Sequence, residues 1–296
     1  AKQLCPDLIF VGSHMEYYKS VSMQIHEIFH EYTDMIEPLA LDEAFLDVTE
    51  NKKNIPLAVD VAREIKKEIK EKLGLVASAG ISYNKFLAKI ASDYKKPDGL
   101  YTIHPNRAPA FISKLPIEAF WGIGKVTARK MHSLGIHTGA DLKKCTQTFL
   151  TRNFGKAGTL YHDFANGIDP RMVTPERTRK SVGCESTFEN DLTNYIAVII
   201  ELYHVTTELI FRLEKSDFKG HTLTLKIKFH DFTQKTRSIT MAHELRTKQD
   251  ILPLAKKLLK DLELTQFRIR LLGLSVSNPF EELITDGPLQ LRINFD

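Results

Sequence analysis

"WGIGKVTARKMHSLGI", residues 121 to 136, sets an apolar-Gly-apolar-Gly turn directly before a stretch with helical spacing of apolar residues. Such a turn presents backbone N–H groups at a helix N-terminus, where they lack helical partners and the helix dipole adds positive potential. The arrangement suits an anion. Gly122 and Gly124 let a phosphate approach the main chain closely, and Lys125, Arg129 and Lys130 add charge around it. An ordinary helical corner uses the same glycines, so the surroundings must decide between the two. Residues 106–180 carry a net charge of +8, against −3 for residues 1–105 and −1 for residues 181–296. A solvated basic face is the bland explanation of any charge run, but a concentration around a phosphate-shaped turn suits neutralisation of a nucleic-acid backbone.

The turn resembles a helix-hairpin-helix, a module that grips DNA through its backbone without reading sequence. Around it, 296 residues with 43% hydrophobic and 26% charged residues leave room for two or three domains with real cores. No stretch reaches the roughly 18 uncharged apolar residues of a membrane span, and no secretion signal opens the chain. Cys5, Cys145 and Cys184 are odd in number, far apart and of no zinc spacing, which points to a reducing, cytosolic compartment. The chain opens on alanine, so it is expected to be a fragment or a processed product.

Upstream, the pattern is mixed α/β. "YKSVSMQIHEIFHEY" and "NIPLAVDVAREIKKEIKEKLG" have helical spacing, "MIEPLALDEAFLDVT" reads as a pair of strands, "LVASAGIS" as a buried strand, and "NKFLAKIASDYKK" as a helix stopping before Pro97. From about Asn106 the chain reads as helical with short glycine-rich connections, until "PRMVTPERTRKS" breaks the periodicity as a linker. Beyond it, strand, long helix (about 193–215), strand, strand, helix (about 248–262) and strand give a βαββαβ, ferredoxin-like order. "HTLTLKIKFH" alternates, with Leu223, Leu225, Ile227 and Phe229 on a core face and Thr222, Thr224, Lys226, Lys228 and His230 on a polar one. "FRIRLL" repeats the device with Arg268 and Arg270.

Two motifs could carry catalysis. "HEIFH", residues 26 to 30, matches the H-E-x-x-H pattern of zinc peptidases, but no third ligand follows at the required spacing. "LALDEAFLDVTE", residues 39 to 50, places Asp42 and Glu43 together in an apolar run, which should bury them and demand a positive partner. Adjacent hard oxygens at a strand turn suit Mg²⁺, which takes one or two carboxylates and completes its shell with water and substrate phosphates. With the phosphate-gripping turn and the cationic strands, the reading becomes two-metal nucleotidyl transfer on DNA.

"ALDEAFLDVT", "GISYNKFLAKIASDYKKPDGL", "WGIGKVTARKMHSLGI" and "RKSVG" follow one another as in Y-family DNA polymerases of the bacterial polymerase IV type, and the resemblance covers essentially the whole chain. It implies an α+β multidomain fold: a palm with helices on a small mixed sheet and a fingers remnant (1–105), an all-helical thumb with the helix-hairpin-helix (106–170), a linker (171–180), a βαββαβ little finger (181–287) and a clamp-binding tail (288–296). It implies translesion DNA synthesis without proofreading, by a monomer in the bacterial cytoplasm, away from membranes. The partners implied are primer-template DNA, a deoxynucleoside triphosphate and a sliding clamp, with two Mg²⁺ per complete active site.

Residue by residue, the resemblance makes Asp42 and Glu43 metal-binding and catalytic and brings Lys96 to the incoming triphosphate. Gly122, Gly124, Lys125 and Arg129 fall on the primer-side duplex, and Arg179 and Lys180 on the template backbone. The cations of the sheet, Lys226, Lys228, Arg268 and Arg270, are further DNA contacts. Gln290, Leu291, Ile293 and Phe295 form an extended Q-L-x-Φ-x-Φ tail that would seat in a clamp groove. Asp47 matches no such role and reads as structural. Ala40 stands where serine is usual and Asp98 where asparagine is usual. The first strand of the family, with one metal-binding aspartate, an aromatic steric gate and most of the fingers, has no counterpart here. The alternatives at this stage are therefore a non-catalytic DNA- and clamp-binding fragment and, in another class, the zinc peptidase.

Overall fold

The structure, a computed structural model, describes residues 1–176, 178–262 and 268–279. They divide into two compact units between residues 177 and 178.

In the first unit, α1 (Met15–His30) leads to an antiparallel hairpin of β1 (Ile36–Pro38) and β2 (Ala44–Leu46), with Glu37 opposite Phe45. The amphipathic α2 (Ala58–Leu73) buries Val61, Ile65 and Ile69 at helical spacing against Ile28 and Tyr32, and Gly74 ends it in the left-handed conformation. The strand expected at "LVASAGIS" is shorter and less buried than its apolar run implied. β3 (Ala79–Ile81) is half-buried and pairs in parallel with β4 (Leu100–Thr102). Between them lies α3 (Lys85–Asp93), its N-terminus capped by Asn84. Gly80 lets α3 press onto β3: a Cβ there would sit 2.1 Å from the Ala88 carbonyl oxygen.

The helical series follows as α4 (Ala108–Lys114), α5 (Lys125–Ser133), α6 (Gly139–Lys144), α7 (Gln147–Phe154) and α8 (Ala157–Ala165). Its core is continuous with that of α3. Phe86 stacks on Phe164 with ring centroids 4.0 Å apart, and Leu87, Ile90 and Ile103 share one buried cluster with Ile112, Met131, Leu142 and Leu150. The helical series is therefore packed onto the helix that lines the candidate site.

The second unit runs β5 (Ser181–Leu192), α9 (Tyr195–Ser216), β6 (Gly220–Phe229), β7 (Gln234–Thr240), α10 (Lys248–Lys260), β8 (Ile269–Pro279). This is the expected βαββαβ order, and the strands assemble antiparallel as β5-β8-β6-β7. α9 buries Val198, Leu202, Val205, Leu209 and Leu213 along one stripe, each burial stabilising by about 1.5–3 kcal/mol. Leu223, Leu225 and Ile227 of β6 join that core, while Thr222, Thr224, Lys226 and Lys228 fall on the opposite face, as the alternation required. No described helix is long and apolar enough to cross a membrane.

Candidate active site

The acid pair is not buried. The apolar run 39–46 is interrupted by a turn, because each strand of the hairpin is only three residues long and the acids fall between them. Asp42 is exposed and has no hydrogen bond or ion pair with the described residues. Glu43 is half-buried. The turn is fixed by main chain: the Leu39 and Ala40 N–H groups both donate to the Glu43 carbonyl at 2.8 and 3.2 Å, and the buried Ser22 hydroxyl of α1 donates to the Leu41 carbonyl at 2.5 Å.

The positive partner of Glu43 is Lys89 of α3, 3.0 Å away. One helical turn on, Lys89 also meets Asp93 at 3.3 Å, and Asp93 meets Lys96 at 2.6 Å. Four alternating charges thus join the acid pair to the lysine that the resemblance gives to the triphosphate. Burial alone would lower the Lys89 pKa, but its carboxylate partners outweigh that and raise it; Asp93 is pushed up by burial and held down overall by Lys96 and Lys89. Such part-exposed pairs contribute about 0–1 kcal/mol each, so they orient the groups and yield readily to a ligand of higher charge. The loop carrying Lys96 is fixed from α2, where Lys66 donates to the Asp98 and Gly99 carbonyls at 2.7 and 3.0 Å and pairs with the Asp98 carboxylate at 2.9 Å. That pairing depresses the Asp98 pKa and shows what an aspartate does at this position.

Behind the turn lies a second ion pair. Lys85 reaches Glu37 of β1 at 2.5 Å and the Met172 carbonyl at 3.0 Å, and the Thr174 N–H donates to the same Glu37 oxygen at 2.9 Å. Burial would raise the Glu37 pKa; Lys85 and Thr174 bring it below the ordinary range. Residues 169–174 are therefore tied down, although periodicity gave them no element. Asp169, its side chain 0% exposed, accepts from the Phe86 N–H at 2.9 Å and from Arg171 at 2.7 and 2.8 Å. Asp47, by contrast, folds onto its own neighbour, accepting from the Thr49 N–H and hydroxyl at 3.0 and 2.6 Å.

The glycine turn precedes α5 as expected. Gly122 takes φ +88°, where a side chain would be strained, and Gly124 is the N-cap with no side chain covering the helix end. Gly122, Gly124, Lys125 and Arg129 are exposed, while Ile123, Ala128 and Met131 pack inward. Lys130 leaves this group: it donates to the Asn153 carbonyl and lies over the Phe154 ring.

In the second unit the cations are not equivalent. Lys226 pairs with Glu185 at 2.6 Å and Arg268 approaches Asp191 at 3.7 Å. Arg270 lies over Phe232, and Lys228 has no ion pair with the described residues. Arg179 and Lys180 are exposed just before β5. The polar sheet face is rich in hydroxyls, with Thr222 bonded to Thr240 at 2.9 Å and Thr224 to Ser238 at 2.8 Å. The tail residues Gln290, Leu291, Ile293 and Phe295 lie outside the described residues.

Among the described residues no three His, Cys, Asp or Glu side chains come together as a metal-holding group. For "HEIFH", His30 is taken by Asp34 at 3.1 Å and His26 packs edge-on against Phe29, so the motif is a helix face. Asp42 and Glu43 fit Mg²⁺ as two adjacent oxygen donors, one free and one on a part-exposed lysine, with further ligands required from elsewhere. Lys89, Asp93, Lys85, Glu37, Lys66 and Asp169 escaped the sequence reading. The four-residue spacing of Lys85, Lys89 and Asp93 along α3 was the available signal, but it names no partner.

A carboxylate pair joined to cations by the Glu43–Lys89–Asp93–Lys96 ladder, together with an uncovered glycine turn at a helix N-terminus, suits a nucleotidyltransferase acting on nucleic acid. Family comparison agrees: the impB/mucB/samB family profile matches residues 1–93, its C-terminal domain residues 179–293, and the IMS family HHH motif residues 105–136. DNA polymerase IV of Bacteroides fragilis (strain YCH46) is 66% identical over 95% of this chain and 78% of that protein. DNA polymerase IV of Akkermansia muciniphila is 58% identical over 95% of this chain and 79% of that protein. Among solved structures, a Y-family DNA polymerase chimera superposes with a TM-score of 0.84 at 27% identity, covering 94% of this chain and 81% of that one. DinB from Sulfolobus solfataricus gives a TM-score of 0.56 at 26% identity over the same shares. The chain belongs to the Y family of translesion DNA polymerases, of the bacterial DNA polymerase IV type.

Proposed function

We propose that the Asp42–Glu43 turn is the metal-holding edge at which this DNA-directed DNA polymerase joins an incoming deoxynucleotide to a primer. The observation that carries this is the ladder Glu43–Lys89–Asp93–Lys96, which puts an acid pair and a part-exposed lysine at its two ends. Asp42 and Glu43 would hold Mg²⁺, Glu43 being the residue that the resemblance gives to the metal at the primer 3′ end, and Lys96 would exchange Asp93 for the triphosphate. Mg²⁺, when bound, promotes ionisation of the primer 3′ hydroxyl and offsets charge on the phosphoryl oxygens. The primer 3′ oxygen bonds to the α-phosphorus as the bond to pyrophosphate breaks. Lys89 restrains Glu43 and keeps the carboxylate aimed at the turn. The domain assignment follows the same reading: palm with fingers remnant over 1–105, thumb over 106–170, linker over 171–180, little finger over 181–287.

DNA is held on two surfaces, each described within its own unit. The hairpin of Gly122, Gly124, Lys125 and Arg129 takes duplex phosphates, and Arg179, Lys180, Lys226, Lys228, Arg268 and Arg270 serve the little finger. The salt-bridged Lys226 and Arg268 give up a carboxylate to do so, which makes Lys228 the more available cation. In the full-length protein, Lys125→Ala is expected to weaken all duplex sequences about equally and to flatten the salt dependence of binding by roughly one unit of slope. Fluorescence anisotropy at several salt concentrations measures this; a loss confined to particular sequences would contradict a phosphate contact.

The Q-L-x-Φ-x-Φ tail is the proposed tether to a sliding clamp, supported by three apolar residues, Leu291, Ile293 and Phe295, at alternate positions after a Gly-Pro break. A monomeric enzyme tethered this way gains local concentration at the primer end. Deleting residues 290–296 is expected to leave extension of a short bare primer unchanged and to remove stimulation by a loaded clamp. Equal stimulation of the truncated protein would end this assignment.

A further inference from the structure

The chain has one tryptophan, and its place is unusual. Trp121 immediately precedes Gly122 of the phosphate-binding hairpin, and its ring meets the ring of Phe45 edge-on, with centroids 5.4 Å apart. Phe45 lies two residues beyond Glu43 on β2, so this contact joins the two functional elements by a very short path. Trp121 is also covered by the Arg171 guanidinium, 4.6 Å from its ring. Arg171 in turn is held by both oxygens of the fully buried Asp169 side chain, which also accepts from the first turn of α3. Lys85 also lies over Phe45, 5.3 Å from its ring, and is paired with Glu37, the residue opposite Phe45 in the β1–β2 hairpin.

We propose that Trp121, between Phe45 and Arg171, is a positioning residue that sets the distance from the phosphate-holding hairpin to the Asp42–Glu43 turn. A polymerase has to place a primer 3′ end at its acid pair while gripping the duplex several phosphates away. A grip that ignores sequence supplies no register of its own, so the register has to come from the protein. An edge-on aromatic contact contributes about 0.5–1.5 kcal/mol, and a guanidinium over an indole about 0.5–2 kcal/mol. These are small beside the buried cluster that joins α3 to the helical series, so the fold does not depend on them. They are large enough to fix an orientation, and a misplacement of about 1 Å at a reacting centre is enough to cost on the order of 100-fold in rate.

This inference rests on the site reading given under the proposed function, and the experiment separates the two. In the full-length protein, Trp121→Leu removes the aromatic face, Trp121→Phe keeps part of it, and Arg171→Lys keeps the charge on Asp169 while removing the plane. At saturating DNA and nucleotide, the single-turnover extension rate is expected to fall about 10- to 100-fold in Trp121→Leu and to recover most of that in Trp121→Phe. Duplex affinity and its salt slope stay within about twofold of the parent, because Lys125 and the hairpin amides are untouched. A hydroxyl-radical footprint on a primer-template with a defined 3′ end reads the register directly. The parent protects phosphates at a fixed distance from that end, and Trp121→Leu shifts or blurs the boundary. In the 296-residue chain, where Trp121 is the one tryptophan, Arg171→Lys is expected to change the indole emission, and in the full-length protein to slow extension without loss of affinity. An unshifted footprint in Trp121→Leu, or an unchanged rate, overturns the proposal, as does unchanged emission in Arg171→Lys. Should Lys125→Ala leave the salt slope unaltered, or Asp42→Ala leave extension intact, it is the site reading that fails, since both substitutions leave the joint whole.

Discussion

Asp42→Ala in the full-length protein is expected to abolish primer extension, a loss of three orders of magnitude or more, while duplex affinity stays within about twofold. The size follows from the metal-holding role proposed for the residue. Its carboxylate has no partner among the described residues, so its removal costs the fold almost nothing and falls wholly on the reaction. Losing one oxygen ligand of a hard divalent ion removes charge compensation at the phosphoryl group, a contribution of several kcal/mol, and each 1.36 kcal/mol is about tenfold in rate. Glu43→Ala should match it in rate but not in stability, because it also strands Lys89 with only Asp93 for a partner. Rapid-quench extension alongside anisotropy titration decides the point. Near-parental extension in either variant would remove the acid pair from the mechanism.

The second large effect is on stability. Asp169→Ala deletes a carboxylate that is wholly buried, doubly bonded to Arg171 and accepting from the Phe86 N–H. Its removal costs about 1–3 kcal/mol, chiefly because the Phe86 amide is left unsatisfied, while Arg171, its side chain 39% exposed, turns to water. Asp169→Asn keeps an acceptor for Phe86 and should cost less. The pH dependence has a definite sign. Burial pushes the Asp169 carboxyl up, but Arg171 and the Phe86 N–H outweigh it and hold its pKa below the ordinary value. The stabilisation is therefore complete above the unfolded-state pKa of about 4 and is lost as pH falls through the lower folded-state value. Thermal melts of parent and Asp169→Asn should differ most near neutrality and converge in strong acid. A gap that widens on acidification would contradict the ion pair.

Much of this was readable from residues alone. The strict alternation in β6 and the apolar stripe of α9 settled the βαββαβ unit, because period 2 and period 3.6 each bury one face only. The glycine turn was legible because Gly122 takes a φ of +88°, which other residues adopt poorly. The acid pair stood out as a pair and was misread as buried. An apolar run does not show where a three-residue strand stops, and here it stops one turn before Asp42. Lys89 and Lys85 sat in plain view on α3, yet a lysine on a helix reads as solvated until its partner, here in the distant β1–β2 hairpin, is seen. Residues 169–174 were hardest. Pro170 and Pro175, with three arginines spread over residues 171 to 179, resemble a linker, and nothing in that pattern reveals that Asp169 is wholly buried.

The turn that carries the acids has a consequence for sequence drift. Its anchors are the carbonyls of Leu41 and Glu43, met by the N–H groups of residues 39 and 40 and by one serine on α1. None of these bonds involves the side chain at position 40, where alanine replaces the serine usual in the family. A main-chain anchor is the same whichever residue supplies it, so position 40 is free to vary while Asp42 and Glu43 stay in place. The one side chain among these anchors is Ser22, whose hydroxyl reaches the turn from nineteen residues away in the chain, so a substitution there is what would loosen it.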